Sequence, residues 1–409
     1  MSIRVTSEIG ALEAVLVHTP GAELLGVTPG TREHYLYDDI IDLENARKEH
    51  KHFAAVLERF AKVHQVRDVL ADIFKLPEVR RRLTARTLDV VPSDALAQRL
   101  EKLPVRELLD VLITGEREVP GPLAAALNEQ SYMLPPLPNL FFTRDVGIAI
   151  GSHVVIGAMR YDVRWTEELL ISALFRFHPA FANAGVLYDG SEERRTGYAL
   201  EGGDVHPLRA DLVMLGFSER SSPAALDLLC EMLFATAGVR DVIVVVMPRE
   251  PTAIHLDMVF TQVDHELCVI SPPHLIGPER LAVLHRRKGQ AAVKEMPNLF
   301  AALNAVDLPL EPIFCGGKDR ANQEREQWGS ACNFFAVRPG VVIGYDRHDV
   351  TMSEMQKAGF RLVQARRFLT GEEPVVPGQR AVIGIKGSEL VRGGGGPRCM
   401  TMPIRRADG

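Results

Sequence analysis

The sequence lacks the features that mark secreted, membrane and nucleic-acid-binding proteins. No apolar run approaches the length of a membrane span, and the first ten residues have neither the basic segment nor the long apolar core of a signal peptide. There is no basic excess either, because 47 Lys and Arg stand against 53 Asp and Glu, for a formal net charge of −6. The two signs are interspersed, which argues against nucleic acid as a partner. We therefore expect a cytoplasmic protein that acts on a small solute, with self-association into a homo-oligomer left open.

The sequence also lacks paired cysteines. Five cysteines are scattered along the chain, odd in number and without a CxxC pair, at positions 230, 268, 315, 332 and 399. This distribution supports neither a disulfide framework nor a structural zinc site. We expect reduced thiols, and no metal or organic cofactor.

The 409 residues, 46% of them hydrophobic, are enough for a large globular core. A β-rich opening over Val5–Gly21 predicts one hairpin, and Asn45–Val63 has the apolar period of a helix. Helix signals then continue to about residue 130, with Ser93 as an N-cap, Pro104 opening a helix and Gly115 closing it. We predict a catalytic part over residues 1–69 and 131–409, and an inserted α-helical bundle over 70–130.

From residue 138 onward a two-strand unit recurs, with helical patterns between the copies. The paired segments are 145–151 with 152–160, 201–208 with 211–218, 255–263 with 266–271, and 333–338 with 341–346; the helical patterns are 166–177, 223–236, 279–288 and 352–359. The opening hairpin and the last strand, around Cys399, would complete a fifth unit. Such repeats predict an α/β fold with units packed around a common axis. The polar starts of the first strands, Asp145, Glu201, His255 with Asp257, Asn333 and Cys399, would then converge on one site.

Four consecutive glycines near the end of the chain, Gly393–Gly396, precede Cys399. Glycine runs occur where the backbone needs positive φ or where another group approaches closely. A thiol is a nucleophile only as thiolate, and the adjacent Arg398 would lower its pKa. Cys399 is therefore a candidate nucleophile, although a glycine turn beside an inert buried cysteine explains this stretch equally well.

His255 and Asp257 share one face if residues 254–260 form a strand. Such a pair could face a polar site, lie on an exposed strand face, or bind a metal, but no third ligand cluster accompanies it. Glu201 precedes two glycines, which allow close approach of another group, and Asp145 follows an aromatic run that could wall a pocket. Each of these two motifs could also be an ordinary turn or strand end.

Together these residues favour a particular chemistry. A cysteine thiolate with a histidine acid/base attacks an electron-poor carbon, and a carboxylate can orient the histidine. Further carboxylates suit a planar cation with several N–H donors, which describes a guanidinium. Arg164 and Arg220 each lie 19 residues after an acid, Asp145 and Glu201 respectively, which is the offset expected of quasi-equivalent repeats.

Ordered motifs along nearly the whole chain resemble the arginine deiminases of the guanidino-modifying, or pentein, superfamily of five-bladed α/β propellers. The matching stretches are Ser7–Gly10, Val15–His18 with Pro20–Gly21, Leu36–Ile40, Phe142–Asp145, Glu201–Asp204, Ser218–Arg220, His255–Asp257, Cys315–Gly317, Arg325–Trp328 and Arg398–Pro403. The helical insertion is also a feature of that family.

The resemblance implies hydrolysis of L-arginine to L-citrulline and ammonia through a covalent amidino (thiouronium) intermediate, without a cofactor. It implies that Cys399 is the nucleophile, that His255 is the general acid/base oriented by Glu201, and that Asp145 and Asp257 grip the guanidinium. It further implies that Arg164 and Arg220 bind the substrate carboxylate, with Asn139 and Phe142 nearby in the pocket. We also expect substrate-binding roles for Arg392 and Arg398, which lie on either side of the glycine run.

Two departures from the family accompany this resemblance. Trp165–Glu167 follows Arg164, where the family often has a second basic residue and a glutamate, and the glycine run has no internal arginine. Competing functions are amidino transfer to an amine, hydrolysis of a methylated or decarboxylated arginine, and arginine sensing without catalysis.

Overall fold

Short strands and helices alternate in the computed structural model, which describes residues 2–129, 131–181, 183–195 and 197–408. Its strands are β1 (Leu12–Val17), β2 (Lys62–Gln65), β3 (Glu116–Arg117), β4 (Tyr132–Leu134), β5 (Gly147–Ile150), β6 (His153–Ile156), β7 (Gly185–Asp189), β8 (Val205–Arg209), β9 (Leu212–Phe217), β10 (Asp241–Val246), β11 (Phe260–Gln262), β12 (Leu267–Ile270), β13 (Val283–Arg287), β14 (Lys294–Met296), β15 (Glu311–Phe314), β16 (Phe335–Arg338), β17 (Val341–Tyr345), β18 (Arg361–Gln364), β19 (Ala381–Ile385) and β20 (Met402–Arg406).

The helices lie between these strands. They are α1 (Leu43–Glu58), α2 (Val66–Ile73), α3 (Pro77–Val90), α4 (Asp94–Lys102), α5 (Val105–Thr114), α6 (Pro122–Ala126), α7 (Thr143–Val146), α8 (Trp165–Phe177), α9 (Pro223–Thr236), α10 (Pro272–Leu275), α11 (Leu299–Ala305), α12 (Arg320–Trp328), α13 (Asp349–Lys357) and α14 (Ala365–Leu369).

Five units share one strand pattern. In each, an antiparallel pair is extended by a parallel third strand: β5-β6-β7, β8-β9-β10, β11-β12-β15, β16-β17-β19 and β20-β1-β2. A parallel third strand needs a crossover connection, which is why helices such as α8 and α9 lie between the second and third strands of a unit. The predicted α/β propeller of five repeated units is confirmed.

Helices α2 to α6 occupy most of the segment predicted as an insertion. Ser93 accepts a hydrogen bond from Leu96 N at the start of α4, and Gly115 ends α5 with φ of 78°, a left-handed conformation that glycine tolerates. The apolar faces of α2 to α5 share a hydrophobic core with α8 and with strands β1, β5, β6 and β20, whereas α6 buries none of its residues. The division at residues 70 and 130 stays a prediction, and its end points Met1, Gln130 and Gly409 lie outside the described residues.

Two local predictions were wrong. The opening segment is not a hairpin, because residues 4 and 5 form isolated bridges to Arg405 and Gly151, while β1 pairs with β2 and β20. The segment 279–288 is not a helix; Val283–Arg287 forms the antiparallel strand β13 beside β10. In both places long-range pairing decided the structure, which a local apolar period does not encode.

No helix within the described ranges is long and apolar enough to cross a membrane.

The insertion helices offer a test of this shared core. Leu112 in α5 is completely buried, whereas Leu123 in α6 is 79% exposed. We expect Leu112→Ala to lower the free energy of unfolding by about 2–5 kcal/mol, because it leaves a cavity in a close-packed core. The matched control Leu123→Ala should change it by no more than about 0.5 kcal/mol. Urea denaturation followed by circular dichroism measures both, and equal effects of the two substitutions would contradict this packing.

Candidate active site

Turns that lead into the first strand of each unit carry the polar side chains of the site. Asp145 lies in α7 before β5, Glu201 precedes the turn before β8, and Cys399 lies three residues before β20. His255 and Asp257 precede β11, and Asn333 precedes β16. All are buried, so the predicted convergence of distant polar residues is observed.

The thiol of Cys399 lies between an amide and a carboxylate. Asn333 Nδ2 donates to Cys399 Sγ at 3.1 Å, and Sγ lies 3.5 Å from Asp257 Oδ2. The amide oxygen of Asn333 accepts hydrogen bonds from the backbone N–H groups of Arg398 and Cys399, at 2.9 and 3.2 Å. One asparagine therefore fixes both the backbone and the sulfur of the candidate nucleophile.

The pKa of Cys399 is raised well above its usual value. Burial is the main cause, the charges of Asp257 and Asp145 add to it, and Arg398 opposes it only weakly. Arg398 lowers the pKa of the thiol, as the sequence predicted, but burial and the two aspartates outweigh its effect. A thiol in an acidic, water-poor pocket needs additional positive charge before it ionises.

His255 and Glu201 form a buried ion pair, with Nε2 and Oε2 2.9 Å apart. Burial alone would lower the pKa of His255, but Glu201, Asp145 and Asp204 outweigh it and raise the pKa to about 9. Burial opposes ionisation of Glu201 too, yet Arg220 and His255 lower its pKa to about 2. The imidazolium is thus available as a proton donor near neutral pH.

The segment that carries His255 is not the predicted strand. His255 caps a single 3₁₀ turn, Leu256–Met258, and β11 begins only at Phe260. Asp204 holds this turn, because its Oδ1 accepts a hydrogen bond from Leu256 N at 2.9 Å. Strand alternation is therefore the wrong reason for the proximity of His255 and Asp257, although the site does contain both.

Asp145 and Asp257 each bind an arginine through one oxygen, and the other oxygen has no hydrogen bond among the described residues, although Oδ1 of Asp145 lies 3.9 Å from His255 Nδ1. Arg164 Nη1 donates to Asp145 Oδ2 at 2.7 Å, and Arg398 Nη1 donates to Asp257 Oδ2 at 2.9 Å. Both Oδ1 atoms are buried and have no hydrogen-bond partner among the described residues. An unsatisfied buried carboxylate oxygen is costly, so these two atoms point to a ligand with N–H donors.

The two arginines that were predicted to bind the substrate carboxylate differ in how many of their N–H groups already have hydrogen-bond partners. Arg164 is held by Glu167 through Nε and Nη2, the latter at 2.8 Å from Oε2, and by Asp145. Arg220 lies 3.4 Å from Glu201 Oε2 and stacks on the ring of Tyr161, yet within the described ranges its buried Nε has no partner. Arg220 is the better placed of the two to receive a new anion.

Of the remaining four predicted substrate-binding residues, two line the pocket and two do not. Asn139 and Phe142 line the pocket with both arginines of the preceding pair. Arg398 does not line it, because its completely buried guanidinium binds Glu8, Asp257 and the carbonyl of Val205 behind the thiol. Arg392 lies outside it as well, paired with Asp39 at the surface. Direct substrate contact by these last two arginines is not supported by their placement.

The glycine run covers the pocket. Gly394 has φ of 87°, and a Cβ at Gly395 would lie 2.5 Å from a ring carbon of Phe142, so both predicted uses of glycine occur. The cavity that these glycines line is only about 20 Å³, room for about one water molecule. A cavity of about 300 Å³ adjoins it outside Gly393 and Gly394. A ligand larger than water can enter only if this cover moves.

Three further residues bind side chains of the site, although the sequence predicted no role for them. Asn333 was expected only at the start of a strand, and Glu8 and Glu167 were expected only as parts of longer motifs. All three are buried and bind site residues: Asn333 holds Cys399, Glu8 holds Arg398, and Glu167 holds Arg164. For Glu167, the i, i+3 spacing from Arg164 at the start of a helix was the available signal.

Asp145, Glu201 and His255 could also supply three metal ligands, since their ligand atoms lie within 4.8 Å of one another. However, Arg164 already binds Asp145, and Arg220 and the imidazole bind Glu201. These cationic side chains compete with a metal ion for the same oxygens. The arrangement therefore favours an organic cation with N–H donors.

The sequence as a whole decides the family. Residues 33–406 match the model of the arginine deiminase family. The chain belongs to that family. It is 32% identical to the arginine deiminase of Streptococcus gordonii over 431 residues, with 99% of this chain and 98% of that protein covered. The arginine deiminase of Bacillus cytotoxicus is 33% identical over 436 residues, with 99% of each chain covered. The expected arginine deiminase family and hydrolase class are thus confirmed.

Solved structures at low identity share the fold. An amidinotransferase of the saxitoxin biosynthetic pathway from Microseira wollei matches with a TM-score of 0.57 at 13% identity, covering 100% of this chain and 98% of that one. DDAH from Pseudomonas aeruginosa matches with a TM-score of 0.52 at 14% identity, covering 96% and 99%. These matches cover 96% or more of this arginine deiminase family member, and they show the shared fold alone.

The pair of His255 and Glu201 should make the stability of this arginine deiminase family member depend on pH. The raised pKa of His255 stabilises the fold fully below 6.5, and this contribution is lost as pH rises through about 9. The lowered pKa of Glu201 contributes fully above 4.5 and is lost as pH falls through about 2. We expect the destabilisation caused by Glu201→Gln to be largest between pH 4.5 and 6.5 and to shrink from there toward pH 9.

Urea denaturation of the wild type and of Glu201→Gln across this pH range measures that difference. Glu192→Gln, a substitution of a surface carboxylate that binds Arg82 and Arg86, provides the control for loss of an ordinary ion pair. A destabilisation by Glu201→Gln that stayed constant from pH 5 to 9 would show that the pair does not titrate in this way.

Proposed function

We propose that the protein hydrolyses free L-arginine to L-citrulline and ammonia through a thiouronium intermediate on Cys399. Three buried atoms that have no hydrogen bond within the described part of the chain carry this proposal: Oδ1 of Asp145, Oδ1 of Asp257 and Nε of Arg220. The first two call for N–H donors and the third calls for an acceptor. Arginine has both at the two ends of one molecule, a guanidinium and a carboxylate.

In this proposal the guanidinium binds beside Cys399 and Asp145, which line the pocket, and the carboxylate binds at Arg220. Asp257 does not line the pocket in this state, but it contacts the sulfur and can reach the guanidinium once the pocket has opened. The cover formed by the glycine run opens and closes again to admit the substrate. The new positive charge offsets the two carboxylates that raise the pKa of the thiol. The thiol then ionises, and its proton leaves through Asp257, whose Oδ2 lies 3.5 Å from Sγ.

The first chemical step is attack of the thiolate on the guanidinium carbon. The S–C bond forms and the electron pair of the C=N bond moves onto nitrogen, giving a tetrahedral adduct. His255 then donates its proton to the departing nitrogen, and ammonia leaves as the C–N bond breaks. The product of this step is an S-alkyl thiouronium on Cys399, with a neutral imidazole held by Glu201 at 2.9 Å.

The second step consumes water. Neutral His255 takes one proton from a water molecule as its oxygen attacks the thiouronium carbon, which gives a second tetrahedral adduct. The C=O bond then forms as the C–S bond breaks, and the remaining hydroxyl proton passes to the sulfur, which releases citrulline and restores the thiol. The ion pair with Glu201 keeps the imidazole ring oriented through both steps. The scheme uses only side chains of this chain. A cytoplasmic location and assembly into a homo-oligomer remain predictions.

A substrate panel tests this function. We expect ammonia and citrulline from L-arginine, and a rate at least about 100-fold lower with agmatine, because Arg220 and the buried site around it would lose their anion. Monomethylated and dimethylated arginine, and arginine with an added amine acceptor, cover the competing hydrolase and amidinotransferase reactions. Product from agmatine alone, or transfer of the amidino group to the amine without formation of citrulline, would contradict the proposal.

A separate experiment tests the covalent step. Cys399→Ala should abolish turnover, and acid quench of the wild type with arginine should show an adduct on the Cys399 peptide by mass spectrometry. Cys332→Ala, which removes a buried thiol outside the pocket, provides the control. Arginine binding without turnover in the wild type would favour a sensor instead.

The two pocket arginines should give different kinetic defects. Arg220→Met should raise KM for arginine about 10- to 100-fold, because a charge-assisted hydrogen bond contributes about 1.5–3 kcal/mol. Arg164→Met should mainly lower kcat, because it leaves Glu167 unpaired and releases Asp145, which binds the reacting group. Steady-state kinetics separates the two effects. Equal changes in KM for both substitutions would show that the arginines share the carboxylate.

A further inference from the structure

Two glutamines point inward from one face of α12 (Arg320–Trp328), one helical turn apart. Gln327 is buried, and its Nε2 donates to the carbonyl of Thr252 at 2.5 Å and to the carbonyl of Met258 at 3.2 Å. Gln323 is also buried, but its Nε2 donates to the carbonyl of Gly317 at 2.7 Å. The two glutamines thus lie on the same helix and carry the same amide group, but they donate hydrogen bonds to different segments of the chain.

The segment held by Gln327 contains two residues of the site. Thr252 and Met258 flank His255 and Asp257, and the segment consists of two 3₁₀ turns, Pro251–Ala253 and Leu256–Met258. Such turns are not paired with a neighbouring strand, so their position depends on hydrogen bonds from other elements. The amide of Gln327 bonds to both ends of this segment at once.

We propose that Gln327 is a positioning residue for the reaction, which keeps the segment 252–258 in the conformation that brings His255 and Asp257 to Cys399. This role rests on the proposed hydrolysis of arginine. Gln327 itself does not line the pocket, so it acts through the segment and makes no contact with the substrate.

Two distances depend on this segment. His255 Nε2 lies 2.9 Å from Glu201, and Asp257 Oδ2 lies 3.5 Å from Cys399 Sγ. Removal of the amide would leave two carbonyls without this donor, at a cost of about 1–3 kcal/mol for each one that stays buried. The segment lowers that cost by moving its carbonyls toward water. A displacement of about 1 Å at a reacting group can lower the rate about 100-fold.

The experiment compares Gln327→Met with Gln323→Met. Methionine has nearly the same length and volume as glutamine but no N–H donor, so each substitution removes only the inward hydrogen bonds of one turn of α12. We expect Gln327→Met to lower kcat for L-arginine about 10- to 100-fold with KM changed less than about threefold. Gln323→Met should leave both constants within about twofold of the wild type, although both substitutions lower the melting temperature.

A second measurement needs no turnover. Alkylation of Cys399 by iodoacetamide in the absence of arginine should be at least about threefold faster in Gln327→Met, because the carboxylate of Asp257 is no longer held against the sulfur. Gln323→Met should be alkylated at the wild-type rate. If the wild type itself makes no citrulline, the proposed function fails, while the alkylation rates still decide the role of Gln327.

Equal kcat values and equal alkylation rates for the two folded variants would overturn the proposal, because Gln327 would then only anchor α12. If Gln327→Met does not fold, Gln327→Asn replaces it. That side chain keeps the amide but is one methylene shorter, so it cannot reach both carbonyls. A lowered kcat with little change in KM supports the positioning role for this variant too, and wild-type kcat contradicts it.

Discussion

Burial of several carboxylates around one thiol is the constraint on which the site depends. Ionised acids are unstable in a dry interior unless each is paired with a cation and hydrogen-bonded. The fold provides one arginine for each: Arg164 for Asp145, Arg220 for Glu201 and Arg398 for Asp257. These arginines hold the acids in place, and within the described residues one oxygen of each aspartate has no hydrogen-bond partner and is available to a ligand.

The repeated units explain how such a site can be assembled. Each unit places a turn before its first strand, and the turns of different units meet although they are far apart in sequence. Two of the ion pairs are themselves repeated, since Arg164 follows Asp145 by 19 residues and Arg220 follows Glu201 by 19. In both cases the arginine lies in the connection after the second strand of the unit and binds the acid before its first strand. The pairs are thus a property of the unit as well as of the site.

Local patterns predicted this fold well where the chain repeats itself. The hairpins after Asp145 and Glu201 and the caps at Ser93 and Gly115 are encoded by nearby residues, and they were found. The strand β13 and the opening segment depend on partners far along the chain, and they were missed.

Some features of the site could likewise be predicted from nearby residues, and others depend on tertiary packing. Residue types and their order nominated Cys399, His255, Glu201, Asp145 and Asp257, all of which the structure brings into one buried cluster. Which arginine faces the substrate and which lies behind the thiol could not be predicted from spacing. Arg398 is next to Cys399 in sequence, yet alternate residues of a turn point in different directions, and its guanidinium binds Glu8 on the far side. Side-chain direction at irregular backbone follows from tertiary packing, which a single sequence does not show.

The charge of the site also connects binding with reactivity. In the resting structure burial, Asp257 and Asp145 raise the pKa of the thiol, while Glu201, Asp145 and Asp204 raise the pKa of His255. A neutral ligand of the same shape would leave both conditions unchanged, so it could bind without activating the sulfur. A guanidinium beside Asp145 and Asp257 compensates their charge and lowers the pKa of the thiol, but it leaves the pair of His255 and Glu201 in place. In the proposed reaction the substrate's charge therefore selects the ligand and prepares the nucleophile, while the proton needed by the departing ammonia stays on the imidazole.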